Sequence, residues 1–451
     1  MSELLDLARA LLERATGAEE MEVFLARGVE NEVRAYQGEV EDLSSSSSAE
    51  IGIRILVDGP QGARVGTAYA GSLDEGAVAE ALANARDNAR FATEDEFVAF
   101  ARPDGVAAVA MDLVDPGVAA TSMDEKVAMA IELERLVRGG DPRIRQVKGA
   151  DYSDYLSEAA IVTTTGIAAG LERSGAYVSV EAIASAGDED QTGWGLSVGR
   201  APGELSLESA AADAIRRATR MLGAVKPPSA KGVAVFDPRT AATLWSIMGS
   251  ALSGDAVVRG RSFFAGRLTE TVASELVTLI DDPTDPRHFA ASPFDAEGLA
   301  SRRNELITRG RLDRFVYDTV SARRAGTAST GNAVRGGVSG SPTAGCRALQ
   351  LVPGDYDQDE ILRHVGQGVF VESITGVHSG VNPISGDFSV GITGLMIRDG
   401  VLAEPIREVT IASTLQRMLL DVVYVGRDLE WLPGLAAGQT LAVDGVTLSG
   451  S

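Results

Sequence analysis

Two adjacent prolines near the middle of the chain separate two halves with different patterns. Residues 223–232 read Gly-Ala-Val-Lys-Pro-Pro-Ser-Ala-Lys-Gly, so glycines and small polar residues surround Pro227 and Pro228. Because proline lacks the backbone N–H that a helix needs, such a segment cannot continue a helix and is typical of a linker. We therefore predict an N-terminal domain over 1–222, a linker over 223–232 and a C-terminal domain over 233–451.

The N-terminal half alternates between helix-like and strand-like patterns. Its predicted elements are a helix at 1–14, strands at 21–27, 50–57 and 64–70, a helix at 72–89 that starts with a capping box, strands at 177–184 and 192–198, and a helix at 207–222. Because the order strand, strand, helix returns, we predict an internal duplication. Paired strands between helices favour an α+β layer over a parallel dinucleotide-binding sheet.

The C-terminal half is glycine-rich and dominated by strand patterns. Its predicted elements are a strand at 233–236, a helix that starts at the cap Asp237-Pro238 and ends near residue 253, a hairpin made of 387–398 and 401–411 around the turn Asp399-Gly400, and a helix at 412–422. Hairpin-rich sequence with few helices predicts a closed or nearly closed, barrel-like sheet. The fold class predicted for the whole chain is α+β.

Charge and residue usage exclude several classes of function. The chain has 41 Lys and Arg against 64 Asp and Glu, a net charge of −23, which disfavours nucleic acid and anionic membranes as partners. One cysteine rules out a disulfide framework, and three histidines leave little material for a histidine-built metal site. With no signal-peptide pattern and no long apolar run, we expect a soluble, cytoplasmic protein.

Several common catalytic motifs are absent, and the single candidate residues each have two interpretations. The sequence contains no phosphate-binding loop, complete dinucleotide fingerprint or His-Glu-x-x-His. Cys346 could be a nucleophile or buried packing, and His378 could act in its Gly/Ser loop or be a surface residue without a role. The pair Asp281-Asp282 could bind a cation or form a turn before proline. The five serines at 44–48 could be a flexible linker or phosphosite, or a polar turn or edge strand.

Four ordered glycine-rich blocks carry a family resemblance. They read Ser-Thr-Gly-Asn-Ala-Val-Arg at 329–335, Gly-Val-His-Ser-Gly-Val-Asn-Pro-Ile-Ser-Gly-Asp-Phe-Ser-Val-Gly at 376–391, Ile-Arg-Glu-Val-Thr-Ile-Ala-Ser at 406–413 and Gly-Arg-Asp-Leu at 426–429. Together they resemble the TldD/PmbA family, intracellular metalloproteases once described as modulators of DNA gyrase. The resemblance spans essentially the whole chain. It implies two kinds of subunit, a catalytic one with His-Glu-x-x-x-His and a later cysteine, and a PmbA- or TldE-type partner without them.

The helix that would carry the metal motif lacks its chemical groups. Trp245 and Ser250 stand where the resemblance places the two histidines, Ser246 stands at the glutamate and Ser253 at the acidic position. The matching scaffold positions are Gly249, Leu252, Gly254 and Asp255. An indole N–H cannot coordinate zinc, serine is a poor zinc ligand, and no general base remains. A core helix with no ancestral metal site is the other interpretation.

The resemblance therefore implies a non-catalytic, zinc-less partner subunit of a TldD/TldE-type protease. Zinc is expected in a TldD-like partner and no cofactor in this chain, with unfolded or leader peptides as substrates. The candidates for peptide contact are Asn332, His378, Asn382 and Asp387, each of which could instead be a turn residue that satisfies its own backbone. The alternatives are a hydrolase that uses Cys346 or a serine with His378, and a regulatory or structural homodimer. A homodimer could also form when the partner is absent.

Overall fold

Residues far apart in the sequence contribute to the same structural unit. The computed structural model describes residues 3–450. Its first unit contains the chain up to Leu222 together with Pro293–Ala300 and Arg335–Pro342. The second unit consists of Gly223–Ser292, Ser301–Val334 and the chain from Thr343 onward. Two short segments of the C-terminal half therefore complete the N-terminal unit.

Unit 1 is built on one six-stranded antiparallel sheet with the strand order β3-β2-β1-β4-β5-β6. Its elements are α1 (Glu3–Leu12), β1 (Glu20–Tyr36), β2 (Glu39–Gly59), β3 (Gly62–Ala70), α2 (Glu75–Phe91), α3 (Gly117–Ala120), α4 (Met123–Gly140), β4 (Ile144–Thr163), β5 (Ala168–Ala186), β6 (Glu189–Gly199), a 3-10 turn (Pro202–Glu204) and α5 (Leu207–Arg220). Helices α1 and α2 pack on one end of the sheet and α4 and α5 on the other. The core-facing residues alternate along the strands, as a sheet with one covered face requires.

The predicted duplication is present, and its repeating unit is larger than expected. Helix, three-stranded meander, helix occurs twice, as α1-β1-β2-β3-α2 and as α4-β4-β5-β6-α5. The packing repeats as well. A Cβ on Gly66 of β3 would lie 2.1 Å from Ala85 O and 2.2 Å from Ala89 N of α2. A Cβ on Gly193 of β6 would lie 2.2 Å from the backbone of Ala214 and of Ala218 in α5. In each repeat, a glycine of the third strand thus packs against the backbone of two alanines that lie one turn apart in the following helix.

Several boundaries differ from the predictions for local reasons. The five serines at 44–48 are strand residues of β2, so the edge-strand interpretation is right and the flexible linker is wrong. The capping box predicted at residue 72 is wrong, because Asp74 is the N-cap of α2 and Ser72 donates to Asp74 instead. Elements α4 and β4 were not predicted.

A buried ion cluster holds the second added segment in unit 1. Glu22 on β1 is 2% exposed and accepts hydrogen bonds from Arg54 and Arg335. Arg335 also donates to Ala296 O at 2.7 Å, and its guanidinium lies 4.8 Å from the ring centre of Phe24. Burial opposes ionisation of Glu22, but the two guanidinium groups outweigh it and hold the pKa of this carboxyl below its usual value.

Unit 2 contains a closed barrel and a layer of short strands and helices. Its elements are β7 (Ala230–Phe236), α6 (Pro238–Ala251), α7 (Gly254–Val258), β8 (Leu279–Asp281), β9 (Asn304–Thr308), β10 (Arg311–Leu312), α8 (Thr319–Ala325), β11 (Ala333–Val334), β12 (Thr343–Ala344), β13 (Leu349–Leu351), α9 (Gln358–Val365), β14 (Gly368–Thr375), α10 (Val377–Gly380), β15 (Asp387–Arg398), β16 (Val401–Thr414), α11 (Leu415–Leu420), β17 (Val422–Val425) and β18 (Leu441–Ser449). The strands run β16-β15-β14-β7-β18, and pairing of β16 with β18 closes five strands into a barrel.

The barrel confirms the predicted α+β fold with a barrel-like second half. Asp399 and Gly400 both have positive φ, 51° and 79°, which the tight hairpin turn between β15 and β16 requires. The helix predicted at 412–422 is shorter, because the chain continues β16 to Thr414 before α11 begins. Within residues 3–450, no helix combines the length and apolar composition that a bilayer crossing demands.

The segment predicted as a linker is hydrogen-bonded to the barrel. Val225 donates to Pro405 O at 2.9 Å and accepts from Arg407 N at 3.1 Å. Strand β7 begins at Ala230, inside the predicted linker range. Residues 223–232 therefore start unit 2, although their two prolines keep them out of regular structure up to β7.

Candidate functional site

Helix α6 positions all but one of the residues that the sequence singled out as degenerate metal-site positions. Asp237 caps it by accepting from Thr240 N at 2.8 Å, and Pro238 occupies the first turn, as predicted. The buried side of the helix packs into the core of unit 2 through Ala241, Leu244, Trp245, Met248 and Ala251. Trp245 therefore faces the core, whereas Ser250, five residues on, is exposed.

The side chain of Trp245 is sealed in the core. It is 1% exposed, and its indole N–H finds no hydrogen-bond partner among the described residues. The nitrogen lone pair of indole belongs to the aromatic system, so this group can donate a hydrogen bond but cannot bind a metal. The position that the family motif gives to its first histidine is thus filled by apolar packing.

The three serines use their hydroxyls to bind nearby backbone. Ser246 donates to Ala242 O at 2.9 Å and Ser250 to Ile247 O at 2.7 Å, both within α6. Ser253 precedes α7, is 8% exposed, and donates to Ala344 O at 2.8 Å. Their hydroxyl hydrogens hold local structure and do not converge on a common point.

The residues present do not fit a catalytic zinc. Such a site needs about three side-chain ligands from histidine, cysteine or carboxylate, and usually a carboxylate base beside the bound water. Among residues 3–450, no group of three or more such side chains is arranged to hold a metal ion.

Cys346 lies under α6 and is not placed as a nucleophile. It is 4% exposed, and its Sγ is 3.7 Å from Gly249 O of α6. Burial, with a smaller contribution from the nearby charge of Asp281, raises the pKa of this thiol well above its usual value. A Cβ on Gly249 would lie 2.5 Å from Leu349 and 3.5 Å from Cys346, so the glycine lets the helix approach this layer closely. Packing is therefore the interpretation of Cys346 that the geometry favours.

A buried polar network lies beside Cys346. Asp281 is fully buried and accepts from the backbone N–H groups of Arg347 and Ala348, both at 2.7 Å. The amide of Asn332 donates to Asp281 at 2.5 Å, and that of Asn304 donates to Asn332 at 2.8 Å. Burial raises the pKa of Asp281, while these hydrogen bonds act in the opposite direction. The network fixes the loops that carry Asn332 and Arg347.

The network bears on the roles predicted from the sequence for Asn332 and for Asp281-Asp282. Asn332, predicted as a peptide contact, is 0% exposed and its side chain is committed to Asp281 and Asn304, so it shapes the loop from inside. For Asp281-Asp282, the turn interpretation applies to the second residue, since Asp282 accepts from Thr284 N at 3.1 Å. Asp281 itself is a buried anchor.

The other three predicted contact residues lie on one exposed loop. His378, Asn382 and Asp387 are all exposed within residues 376–387. The loop has internal order, because Asn382 Oδ1 accepts from Ile384 N at 2.9 Å and Ser385 donates to Asp387 at 2.6 Å. The polar side chains are thus held by a built turn at the start of β15.

An apolar residue and the buried network were missed in the sequence. Ile384, at the tip of the same loop, is 52% exposed and presents a large apolar side chain between the polar ones. The pattern Asn-Pro-Ile-Ser-Gly could have flagged it, because an isoleucine inside a turn sequence has no core to enter. Nothing in the sequence links Asp281, Asn304 and Asn332, which meet only in the fold.

Family models match nearly the whole chain in three parts. The model described as PmbA/TldA metallopeptidase domain 1 matches residues 21–89, and the central-domain model matches 117–222. The model described as PmbA/TldA metallopeptidase C-terminal domain matches 229–450. The matches are consecutive and together cover most of both units.

Individual proteins agree with the family models. The chain is 28% identical over 440 residues to a protein from Escherichia coli O157:H7 named Metalloprotease PmbA, covering 95% of this chain and 92% of the relative. A crystal structure from Bacteroides thetaiotaomicron, described as a candidate modulator of DNA gyrase, superposes with a TM-score of 0.87 at 25% identity and covers 100% of both chains. The structure of TldE from Thermococcus kodakarensis superposes with a TM-score of 0.88 at 24% identity over 99% of both chains, which shows the shared fold.

Proposed function

The chain belongs to the PmbA/TldD metallopeptidase family, and on that basis we propose that it is a subunit without its own zinc site, which assembles with a zinc-bearing, TldD-like subunit. The partner supplies the metal and the general base, and this chain supplies part of the surface that holds unfolded or leader peptides. The reaction proposed for the assembly is peptide hydrolysis in the cytoplasm.

The burial of Trp245 is the observation that carries this proposal. The Trp245 side chain is 1% exposed and packed in the core of unit 2, so it cannot rotate out of the core to make room for a metal ion and its ligands. The hydroxyls of Ser246 and Ser250 donate to carbonyls of their own helix, and a neutral serine oxygen is a poor ligand for zinc. The chemistry left to this chain is recognition.

The loop at 376–387 is the proposed peptide-contact surface of this subunit. It presents an imidazole, an amide, a carboxylate and the exposed side chain of Ile384, a mixture suited to main-chain polar groups and to apolar side chains. His378, Asn382 and Asp387 remain the proposed contacts. Asn332 is proposed to contribute indirectly, by fixing the loop that carries it.

Metal content, native mass and peptide cleavage, measured on the same samples, test the proposal. The chain alone should contain no stoichiometric zinc and should not cleave an unfolded peptide. Mixed with a His-Glu-x-x-x-His family member, it should form a heteromer that binds zinc and cleaves. In that mixture, Glu→Gln in the partner's motif should abolish cleavage, whereas Ser246→Ala at the matching position of this chain should leave it unchanged.

Three results would contradict the proposal, and each points to an alternative. Stoichiometric zinc on the isolated chain would mean that α6 or another site binds metal. Cleavage by the isolated chain that Cys346→Ala abolishes would make the protein a cysteine hydrolase. Repeated recovery from the native cytosol of homodimers alone, with no zinc-motif partner, would favour the regulatory or structural homodimer.

A further inference from the structure

Strand β2 is paired on both sides only from Ile51 to Leu56. It pairs with β1 from Glu39 to Leu56, but β3 covers it only from Ile51 to Gly59. No backbone hydrogen bond from outside the sheet reaches 39–50 in the described part of the chain. This stretch, which we term the open edge, therefore leaves every second backbone N–H and C=O without a strand partner.

Residues 43–49 of the open edge lack the usual protection of a sheet edge, whereas Glu39, Glu41, Asp42 and Glu50, and a register shift between Val40 and Asp42, lie toward its two ends. Natural edges are commonly blocked by charged residues, proline or bulges. Between Asp42 and Glu50, however, the sequence is Leu-Ser-Ser-Ser-Ser-Ser-Ala, with neither a charge nor a proline. The serines at 45–48 are exposed, so no other part of the unit covers this edge.

The second repeat offers a comparison, because a segment of the chain itself contacts the equivalent edge. The equivalent stretch, residues 168–175 of β5, is likewise not covered by the third strand of its meander, since β6 pairs only from Ala176 onward. There another segment of the chain reaches the edge at one residue, Ser174. Ser174 N donates to Leu113 O at 2.9 Å, and Asp115 N donates to Ser174 Oγ at 2.8 Å. The occupant is a non-helical segment whose Leu113 is 2% exposed.

Beside the open edge, the helix-covered face of the sheet has a depression. Register places Val29 opposite Ser47 and Arg27 opposite Ala49, so these side chains share the face that carries the helices. The depression has a volume of about 630 Å³, and its lining combines the apolar residues Val29, Ala49, Val114 and Leu156 with the charged residues Arg27, Glu158, Glu172 and Arg173. Val29 is 45% exposed. Every second side chain of a strand added to the open edge would lie on the same face of the sheet as this depression.

We propose that the open edge binds an extended, unfolded peptide by strand addition, with apolar residues of the peptide at alternate positions over the depression. Main-chain hydrogen bonds supply the affinity. Five identical small residues offer no distinct pockets and fix no register, so the edge accepts many sequences. This inference deepens the proposed handling of peptides, but it concerns unit 1 and needs no partner subunit.

Two peptides that differ only in backbone N–H groups test the proposal on the full-length chain alone. The probe is a fluorescein-labelled peptide of alternating valine and threonine with a lysine at each end, and its control carries N-methyl groups on alternate residues. Anisotropy should show about tenfold or more weaker binding of the methylated peptide, because one edge of its strand cannot donate. The unmethylated peptide should slow amide hydrogen exchange in residues 43–49.

Proline variants locate the site without relying on one substitution. Consecutive residues of β2 direct their N–H groups alternately toward β1 and away from it. Of the two variants Ser45→Pro and Ser46→Pro, one therefore loses a hydrogen bond to β1, and the other loses only an N–H group that points away from the sheet. The outward one should keep its stability and lose peptide binding. Ser45→Ala and Ser46→Ala, which keep the N–H groups, should bind as the wild type does.

Equal binding of the two peptides, or exchange in residues 43–49 that the peptide does not slow, would overturn the proposal. So would protection of these residues that rises with protein concentration in the absence of peptide, because a second copy would then be the occupant. None of these results depends on zinc or on assembly, so they are distinguishable from a failure of the proposed function.

Discussion

At the residue scale, the strongest constraint in unit 1 is the buried carboxylate of Glu22 between Arg54 and Arg335. A buried charge is tolerated only when it is paired, and removing one member leaves the others without compensation. Arg335 reaches Glu22 from more than three hundred positions later in the chain. This cluster is therefore the point at which a single substitution should disturb the unit most.

We expect Glu22→Gln to lower the free energy of unfolding by about 3–5 kcal/mol at pH 7, because two buried guanidinium groups lose their counter-charge. Since the folded pKa of Glu22 lies below its ordinary value of 4.5, the stabilisation is complete above that pH and is lost as the pH falls through the folded pKa. Urea denaturation from pH 7 to pH 3 should show the difference between wild type and variant shrinking. Glu404→Gln, at the solvent-exposed pair with Arg398, should change stability by less than about 1 kcal/mol.

The surroundings of a residue could be predicted from the sequence only where the groups involved lie close together in the chain. The proposed replacement of zinc ligands by Trp245 and Ser250 could be inferred from the sequence because the family motif lies on one helix, where spacing fixes geometry. The burial of Asn332 could not, because its partners Asp281 and Asn304 come from separate strands. An asparagine in a glycine-rich block has the same local pattern whether it faces solvent or a buried carboxylate.

At the element scale, the repeated contact of a strand glycine with a helix keeps the helices close to the sheet. Gly66→Ala should destabilise the protein by about 1–3 kcal/mol, since its new Cβ would lie 2.1 Å from the backbone of α2 and the helix would have to shift. Gly76→Ala is the control, because Gly76 belongs to α2, the helix that Gly66 contacts, and has open space around its Cβ position. Thermal unfolding of both variants checks this, and Gly76→Ala should be neutral or slightly stabilising.

Equal stability losses in both glycine variants would contradict the packing explanation and would indicate an effect of composition alone. The same reasoning predicts that Gly193→Ala behaves like Gly66→Ala, because Ala214 and Ala218 approach it in the same way.

Elements were predictable where short-range chemistry defines them. The cap of α6 and the Asp399-Gly400 hairpin were found because their signals occupy adjacent residues. The full lengths of β1 and β2 were missed, because their outer halves lack apolar alternation and are held in strand form by pairing with each other. Barrel closure needs β16 to meet β18, a contact that no local pattern reports.

At the scale of the whole molecule, the boundary between the two units does not coincide with one position in the sequence. Unit 1 includes Pro293–Ala300 and Arg335–Pro342. Leu299 from the first segment packs with Ile161 and Ile167, and a Cβ on Gly52 would lie 2.0 Å from Val338 O of the second. A sequence reading that splits the chain at the two prolines cannot detect these returning segments, because they carry no composition signal of their own.

A fragment of residues 1–222 should therefore be less stable than unit 1 in the intact chain. It lacks Arg335, so Glu22 keeps only Arg54, and it lacks the apolar cover of Leu299. Urea denaturation followed by circular dichroism should show a lower midpoint for the fragment. In the fragment, Glu22→Gln should have a smaller effect than in the intact chain, since one of the two cations is already missing. A fragment as stable as the intact unit would show that the returning segments contribute little.

The returning segments also set an order of events during translation. A ribosome releases the sheet of unit 1 long before Arg335 has been polymerised, so in the nascent sheet Glu22 has only one of its two cationic partners, Arg54. Its maturation is thereby postponed until about three quarters of the polypeptide has emerged. Such a chain would depend on holding chaperones in that interval, and slowing elongation between the two halves would lengthen its exposure to quality control.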